Sequence, residues 1–214
     1  NYPNNPTGAQ APCEFLQRAV DLAHEHHFAI VQDFAYAGLG VDAQQISILS
    51  LPGAFDVAVE VCSLSKMYAM AGWRAGFIAG NDDIVSHVKQ YHYQMGSMVT
   101  SSIQDAGTAA LLSDQSCVAE LAERYASRRE IVAGGLHEAG LDVFDSDGGI
   151  YAWVHAPEDQ TGEQFADTLL ERASVAALPG TCFGKVGKDY VRFSLLKSED
   201  RLREAVRRVV AVLA

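Results

Sequence analysis

The sequence has 214 residues, of which 49% are hydrophobic and 20% charged, as in an ordinary globular protein with one large or two modest cores. The formal net charge of −11, without a basic stripe, argues against a nucleic-acid partner, because such binding needs clustered lysine and arginine. With no long apolar run and no signal-peptide pattern, we expect a cytoplasmic protein with no membrane partner.

The first half of the sequence predicts an α/β arrangement. It opens on the turn-rich segment "NYPNNPTG", so we expect further sequence upstream. Apolar residues then recur at helical spacing, and "FAIVQD" follows as a buried parallel strand that ends on Asp33. In chain order we predict a helix at 12–26 and strands at 28–33, 57–64 and 75–80.

The second half predicts a smaller α+β domain after a long helix. Ser198 is the expected N-cap of a closing amphipathic helix. We predict helices at 83–96, 101–112, 115–139 and 162–173, and strands within 148–154, 174–180 and 190–196. We place the domains at 1–113 and 114–214.

No metal site or disulfide framework is indicated. The four cysteines (Cys13, Cys62, Cys117 and Cys182) form no C-x-x-C pair. The "HEHH" segment at 24–27 lacks the H-E-x-x-H order of a zinc site and is explained by a polar helix end.

Two polar clusters follow the predicted parallel strands. Asp33 ends the first strand and the segment Ser63–Lys66 ends the second, so both should face the crevice at the carboxyl edge of the sheet. Each residue alone has a plainer explanation. Asp33 could cap the next turn, and Lys66 could be a solvated turn residue.

The surroundings of Lys66 favour a chemical role. No acidic residue occurs between Glu60 and Asp82, although a solvated lysine usually has carboxylates nearby. A lysine in an apolar crevice can act as an amine nucleophile and form a Schiff base with a carbonyl. Ser63 and Arg74 carry hydrogen-bond donors of the kind that bind a phosphate group, and a carboxylate such as Asp33 can pair with a pyridinium nitrogen. Together they describe an aldehyde-bearing, phosphorylated cofactor.

The motifs, in their order, resemble those of the class I/II aminotransferases, pyridoxal-phosphate enzymes of the aspartate aminotransferase fold type. The resemblance implies the C-terminal part of a large cofactor-binding domain, with a mostly parallel sheet and helices, followed by a smaller α+β domain. The matching motifs are "NNPTG" at 4–8, "DFAY" at 33–36, "SLSKMYAMAGWRAG" at 63–76, "PGTCFG" at 179–184 and "YVRFS" at 190–194.

The resemblance also implies roles for single residues. Lys66 would hold pyridoxal 5′-phosphate covalently and shuttle a proton during catalysis. Asp33 would face the ring nitrogen, and Asn5 and Tyr36 would hydrogen-bond the phenolic oxygen. The phosphate would be bound by Ser63 and Arg74.

Arg192 would bind the substrate α-carboxylate through two parallel hydrogen bonds, with Asn5 beside the substrate. From the strand "YVRFSLL" alone, an arginine exposed at a sheet edge would be the simpler interpretation.

The residues in and around the motifs are similar to those of bacterial alanine-type (glutamate–pyruvate) aminotransferases and their diaminopimelate relatives. We therefore expect amino transfer between a small amino acid such as alanine and a 2-oxo acid such as 2-oxoglutarate, by a homodimer. A C–S lyase on the same fold and a non-catalytic ligand-sensing or dimerisation module are alternatives. The family's upstream half, which supplies part of the cofactor pocket, is not in this sequence.

Overall fold

The computed structural model describes residues 1–40, 45–96 and 98–213. Contacts divide the chain into two compact units. The first contains Asn1–Pro3 and Gln10–Ala122, and the second contains Asn4–Ala9 and Glu123–Ala214. The predicted domain boundary after residue 113 stays a prediction.

The first unit holds a three-stranded sheet in the order β1–β2–β3. Strand β1 (Ile30–Asp33) runs parallel to β2 (Ala58–Ser63), whereas β3 (Gly76–Gly80) runs antiparallel to β2. All three predicted strands are confirmed, and one of the two pairings is parallel. A parallel β3 would need a crossover, usually through a full helix, but the link from β2 contains only short helical turns.

The first unit packs its core around α1 (Cys13–His26), which confirms the predicted helix and buries Leu16, Val20 and Ala23 on one stripe. Phe15, an apolar residue of the same helix, is 52% exposed. The remaining helices that begin in this unit are α2 (Ala54–Val57), α3 (Leu64–Met67), α4 (Asp82–Gln94), α5 (Ser101–Leu112) and α6 (Ser116–Arg129).

One face of strand β1 is exposed. Strand β1 was predicted to be buried, yet Val31 is 61% exposed whereas the adjacent Gln32 is 5% exposed. Val61 on β2 is also exposed and lies on the same face as Val31, because side chains alternate along each strand. The prediction of a buried strand is therefore wrong for this face.

The second unit holds an antiparallel sheet in the order β4–β6–β5. The predicted elements are confirmed, with a π-helical turn after α6 and another after α8. Leu202 and Val209 are buried on the inner side of α9. The elements are α7 (Gly135–Glu138), β4 (Tyr151–His155), α8 (Gly162–Thr168), β5 (Leu178–Pro179), β6 (Tyr190–Ser194) and α9 (Glu199–Leu213).

Within the described ranges, no helix is both long and apolar enough to cross a membrane. The same residues contain no cluster of three or more histidine, cysteine or acidic side chains that could hold a metal ion. In the "HEHH" segment, His24 Nε2 lies 3.0 Å from the Gly53 carbonyl oxygen.

Candidate active site

The sheet of the first unit brings the two predicted polar clusters to one edge. Asp33 is the register partner of Val61, two residues before Ser63. Because β1 and β2 are parallel and side chains alternate, Asp33 and Ser63 lie on the same face, with Cα atoms about 8 Å apart by ordinary sheet spacing. The predicted convergence at the carboxyl ends of the strands is therefore present in the backbone.

Asp33, the carboxylate predicted to pair with a ring nitrogen, is exposed. Its Oδ2 accepts a hydrogen bond from Asn1 Nδ2 at 2.8 Å, and its Oδ1 accepts one from the Ala35 N–H at 3.2 Å. Tyr36, in the turn that follows, is only 7% exposed. The turn thus directs one residue outward and the other into the unit.

The segment after β2 presents Lys66 from a single helical turn, α3. Ser63 caps this turn, with its Oγ accepting a hydrogen bond from the Ser65 N–H at 3.2 Å, so the hydroxyl hydrogen is left to donate. Lys66 is half-buried and, among the described residues, makes no ion pair. An amine without a carboxylate partner can serve as a nucleophile once it loses its proton.

A glycine on α5 permits close packing behind this turn. A Cβ at Gly107 would come within 2.8 Å of Leu64 Cδ1, and Leu64 is buried in α3. The small residue therefore lets α5 approach the turn that carries Lys66.

Arg74 follows on the chain at φ 52°, in the left-handed region, and its side chain is exposed. Its Nη1 donates to the Ala71 carbonyl oxygen at 3.2 Å, which leaves other N–H groups available to an anion. Ser63 and Arg74 are thus both available as donors in the first unit.

Cys62 lies beside this edge but does not have the chemistry of a nucleophile. Burial, and then the nearby charges of Glu60 and Asp33, raise the pKa of its thiol to about 11. The thiol therefore stays protonated near neutral pH and is a poor nucleophile. Lys66 remains the candidate nucleophile of this edge.

In the second unit, the "NNPTG" segment forms a closed loop. The Asn4 N–H donates to the Ala9 carbonyl at 2.8 Å, and the Gly8 N–H donates to the Asn4 carbonyl at 2.7 Å. Asn4 Oδ1 also accepts from the Thr7 hydroxyl at 2.9 Å. This network fixes the loop that carries Asn5.

Asn5 and Arg192, 187 positions apart, meet directly. Arg192 Nη1 donates to Asn5 Oδ1 at 2.7 Å. Arg192 lies on β6, the central strand of its sheet, so the simpler interpretation of an arginine at a sheet edge is wrong. The structure thus brings together the two residues predicted to bind substrate.

Sequence reasoning missed two aromatic residues at Arg192. The Arg192 Cζ lies 3.8 Å from the ring centre of Tyr151 and 4.7 Å from that of Phe183. Trp153 is the register partner of Arg192. Tyr151, two residues before Trp153, is therefore the diagonal neighbour of Arg192 on the same face of the sheet. The strand predicted within 148–154 includes Tyr151, but only the register relates Tyr151 to Arg192.

Comparison with known proteins identifies the family. The family model for aminotransferase class I and II matches residues 1–209. The chain belongs to the class I and II aminotransferases. It is 45% identical over 210 residues to the L-glutamine–4-(methylsulfanyl)-2-oxobutanoate aminotransferase of Bacillus subtilis, covering 98% of this chain and 53% of that protein. It is also 41% identical over 218 residues to the glutamate–pyruvate aminotransferase AlaC of Escherichia coli, covering 99% and 52%.

A solved structure of this family supports the fold. An aminotransferase from Staphylococcus aureus superposes with a TM-score of 0.94 at 37% identity, covering 99% of this chain and 56% of that one. The α/β fold of the type I aminotransferases is thereby shown. The chain spans about half the length of the curated relatives it matches.

Class I and II aminotransferases use pyridoxal 5′-phosphate, and the residues of the first unit fit that group. Lys66 offers an amine with no ion-pair partner among the described residues, and Asp33 offers an accessible carboxylate. Ser63 and Arg74 offer the hydroxyl and guanidinium donors that a phosphate requires. The set therefore matches an aldehyde, a ring nitrogen and a phosphate.

Proposed function

We propose that the chain carries the lysine and the substrate arginine of a pyridoxal-phosphate-dependent aminotransferase. The observation that carries the proposal is the arrangement of Asp33 and the Ser63–Lys66 turn at the carboxyl ends of two adjacent parallel strands. This edge is the usual ligand site of open α/β sheets.

In this proposal the cofactor, when bound, supplies the electron sink for amino transfer. Lys66 holds it through the side-chain Nζ and, when released, moves a proton at that same atom. The carboxylate of Asp33 favours a protonated ring nitrogen, because an adjacent anion stabilises the charged form. Tyr36 hydrogen-bonds the ring, and Ser63 and Arg74 bind the phosphate.

In the second unit, Arg192 recognises the substrate carboxylate. Asn5 holds Nη1 of the guanidinium and leaves further N–H groups for two parallel hydrogen bonds. We also assign Asn5 to both cofactor and substrate binding.

We propose a small amino acid such as alanine and a 2-oxo acid such as 2-oxoglutarate as the substrates. Support comes from the similarity to a glutamate–pyruvate aminotransferase, while the relative from Bacillus subtilis is named for L-glutamine and a different oxo acid. We further propose a homodimer and a cytoplasmic location. The free state of all four cysteines is in keeping with a reducing compartment.

The cofactor role is tested by mixing the purified chain with pyridoxal 5′-phosphate, reducing with borohydride and mapping the pyridoxyl group. We expect the label on Lys66 and its loss in Lys66→Ala. Lys89→Ala, which removes an exposed lysine of α4, should label as the wild type does. Label spread over several lysines, or retained in Lys66→Ala, would show that the assignment is wrong.

The reaction is tested next on chain that binds pyridoxal 5′-phosphate in the labelling experiment. Consumption of alanine only when 2-oxoglutarate is added supports amino transfer. Pyruvate released from a cysteine conjugate without an acceptor would instead support a lyase.

A further inference from the structure

We infer that Tyr151 and Phe183, called here the aromatic pair, are positioning residues that hold the Arg192 guanidinium ready for a carboxylate. This inference deepens the proposed function and rests on it. Both rings contact the cation, with the Arg192 Cζ 3.8 Å from the centre of Tyr151 and 4.7 Å from the centre of Phe183. These distances are within the range of a cation–π interaction.

The aromatic pair holds the cation without neutralising its charge. Arg192 is half-buried, and among the described residues it makes no ion pair. A carboxylate in place of the rings would also hold the guanidinium, but it would compete with the substrate for the same N–H groups. Aromatic rings attract the cation without contributing a carboxylate oxygen, so the guanidinium N–H groups stay able to donate to a substrate carboxylate.

Asn5 adds a directional restraint to the contacts with the rings. The cation–π contacts hold the guanidinium near the rings but do not set the direction of any one N–H group. The 2.7 Å hydrogen bond from Nη1 to Asn5 Oδ1 sets the direction of one of them. The conformational entropy of the arginine side chain is therefore lost before the ligand arrives, which strengthens binding.

The fold supplies Tyr151 and Phe183 from different elements. Tyr151 is the diagonal neighbour of Arg192 across the β4–β6 pair, where long side chains reach one another. Phe183 comes from the short helical turn Gly180–Phe183, and its ring also packs edge-on against Trp153 at 5.7 Å. Trp153 stacks in turn on Tyr190 at 5.1 Å. Tyr190 thus belongs to the same aromatic cluster without a cation–π contact to Arg192.

The test is a titration of the ¹⁵N-labelled chain with sodium pyruvate, followed through the guanidinium NMR signals of Arg192. These signals are assigned by their loss in Arg192→Lys, and sodium chloride controls for ionic strength. Tyr151→Leu and Phe183→Leu remove one ring each, Tyr151→Phe keeps the ring, and Tyr190→Leu is the matched control.

We expect Tyr151→Leu to raise the dissociation constant for pyruvate about three- to tenfold, the size of one lost cation–π contact. Phe183→Leu should have a smaller effect in the same direction, since its ring is farther away. Tyr151→Phe and Tyr190→Leu should stay within about twofold of the wild type. Arg192 signals in Tyr151→Leu should also show faster rotation about the Nε–Cζ bond.

Equal affinities in Tyr151→Leu and wild type, or an equal loss in Tyr190→Leu, would overturn the inference. So would Arg192 signals that do not respond to pyruvate. The proposed function is read separately through the label on Lys66. A label on Lys66 with no ring dependence refutes the inference alone, and ring-dependent pyruvate binding without the label refutes the cofactor role alone.

Discussion

Gly8 shows how closely a single residue can be constrained by the site. It has φ 75°, and a Cβ there would lie 2.0 Å from Ser146 Oγ and 2.4 Å from the Gly148 carbonyl oxygen. The first of these atoms could move, but the second is backbone. The loop that carries Asn5 therefore packs directly on the 146–149 turn.

We predict that Gly8→Ala lowers the free energy of unfolding of the second unit by at least about 3 kcal/mol, since left-handed strain and a backbone clash add. Gly140→Ala is the matched control, because Gly140 has φ 87° and no atom within 4 Å of its added Cβ. It should cost about 1 kcal/mol, from strain alone. Urea denaturation measures both, and equal losses would refute the packing argument.

Arg129 holds the 146–149 turn through a hydrogen bond to its backbone. It is 8% exposed, and its Nη2 donates to the Gly149 carbonyl oxygen at 2.8 Å. Burial lowers the pKa of Arg129, while the nearby charge of Asp147 acts in the opposite direction. Burying the guanidinium costs desolvation free energy. An arginine at this position therefore indicates that its hydrogen bond helps to fix the 146–149 turn, on which the loop that carries Asn5 packs.

At the scale of elements, Asn81 has two roles, as the N-cap of α4 and as a link from α4 to α2. As N-cap, its Oδ1 accepts from the Ile84 N–H at 3.0 Å. Its Nδ2 also donates to the carbonyl oxygens of Phe55 and Asp56, at 3.2 and 2.9 Å. One side chain therefore begins a helix and fastens it to the segment before β2.

Two substitutions separate these roles. Asn81→Ser keeps an N-cap acceptor but loses the reach to Phe55 and Asp56, so we expect a loss of about 1 kcal/mol in the free energy of unfolding. Asn81→Ala loses both contacts and should cost about 2–3 kcal/mol. Denaturant unfolding of the two variants measures the difference. If Asn81→Ser matches the wild type, the tether to 55–56 contributes nothing.

The elements were predictable from the sequence because they depend on local patterns. The stripe through Leu16 and Val20 marked α1, and the apolar runs marked β1 and β2. Strand direction, register and exposure depend on distant neighbours. For this reason the antiparallel β3, the exposed Val31 and the Tyr151–Arg192 contact did not follow from the sequence.

The site residues came from motif resemblance rather than from local physics. Ser63, Lys66 and Asp33 could be placed at strand ends by pattern alone, and the structure brings those strand ends together. The contact between Asn5 and Arg192 joins positions too far apart in sequence for any local pattern to relate them. The roles themselves stay predictions until the labelling and titration experiments are done.

At the scale of the whole molecule, α4 and its C-cap residue present an apolar stripe that is largely exposed among the residues that the structure describes. Ile84, Val88, Tyr91 and Met95 follow the i, i+4, i+7, i+11 spacing of one helix face. Val88 is 40%, Tyr91 66% and Met95 62% exposed. A stripe of this kind usually marks a contact surface, because exposed contiguous apolar area is costly in water.

We expect this stripe to contribute to self-association of the chain, in line with the proposed homodimer. Val88→Lys with Tyr91→Lys should raise the dissociation constant at least about tenfold, because burying two such side chains is worth more than 1.4 kcal/mol. Ser86→Lys with Gln90→Lys adds the same charge on the opposite face of α4 and is the matched control. Sedimentation equilibrium measures both variants.

The outcomes separate the stripe from charge alone. If the control dissociates as readily as the stripe variant, added positive charge is responsible and α4 is not the contact. If the wild-type chain is monomeric across the accessible concentrations, self-association through this face is wrong. The mutated side chains of the stripe are already exposed, so their replacement should leave the free energy of unfolding unchanged. If only the stripe variant loses self-association and its unfolding is unchanged, α4 is identified as a contact helix.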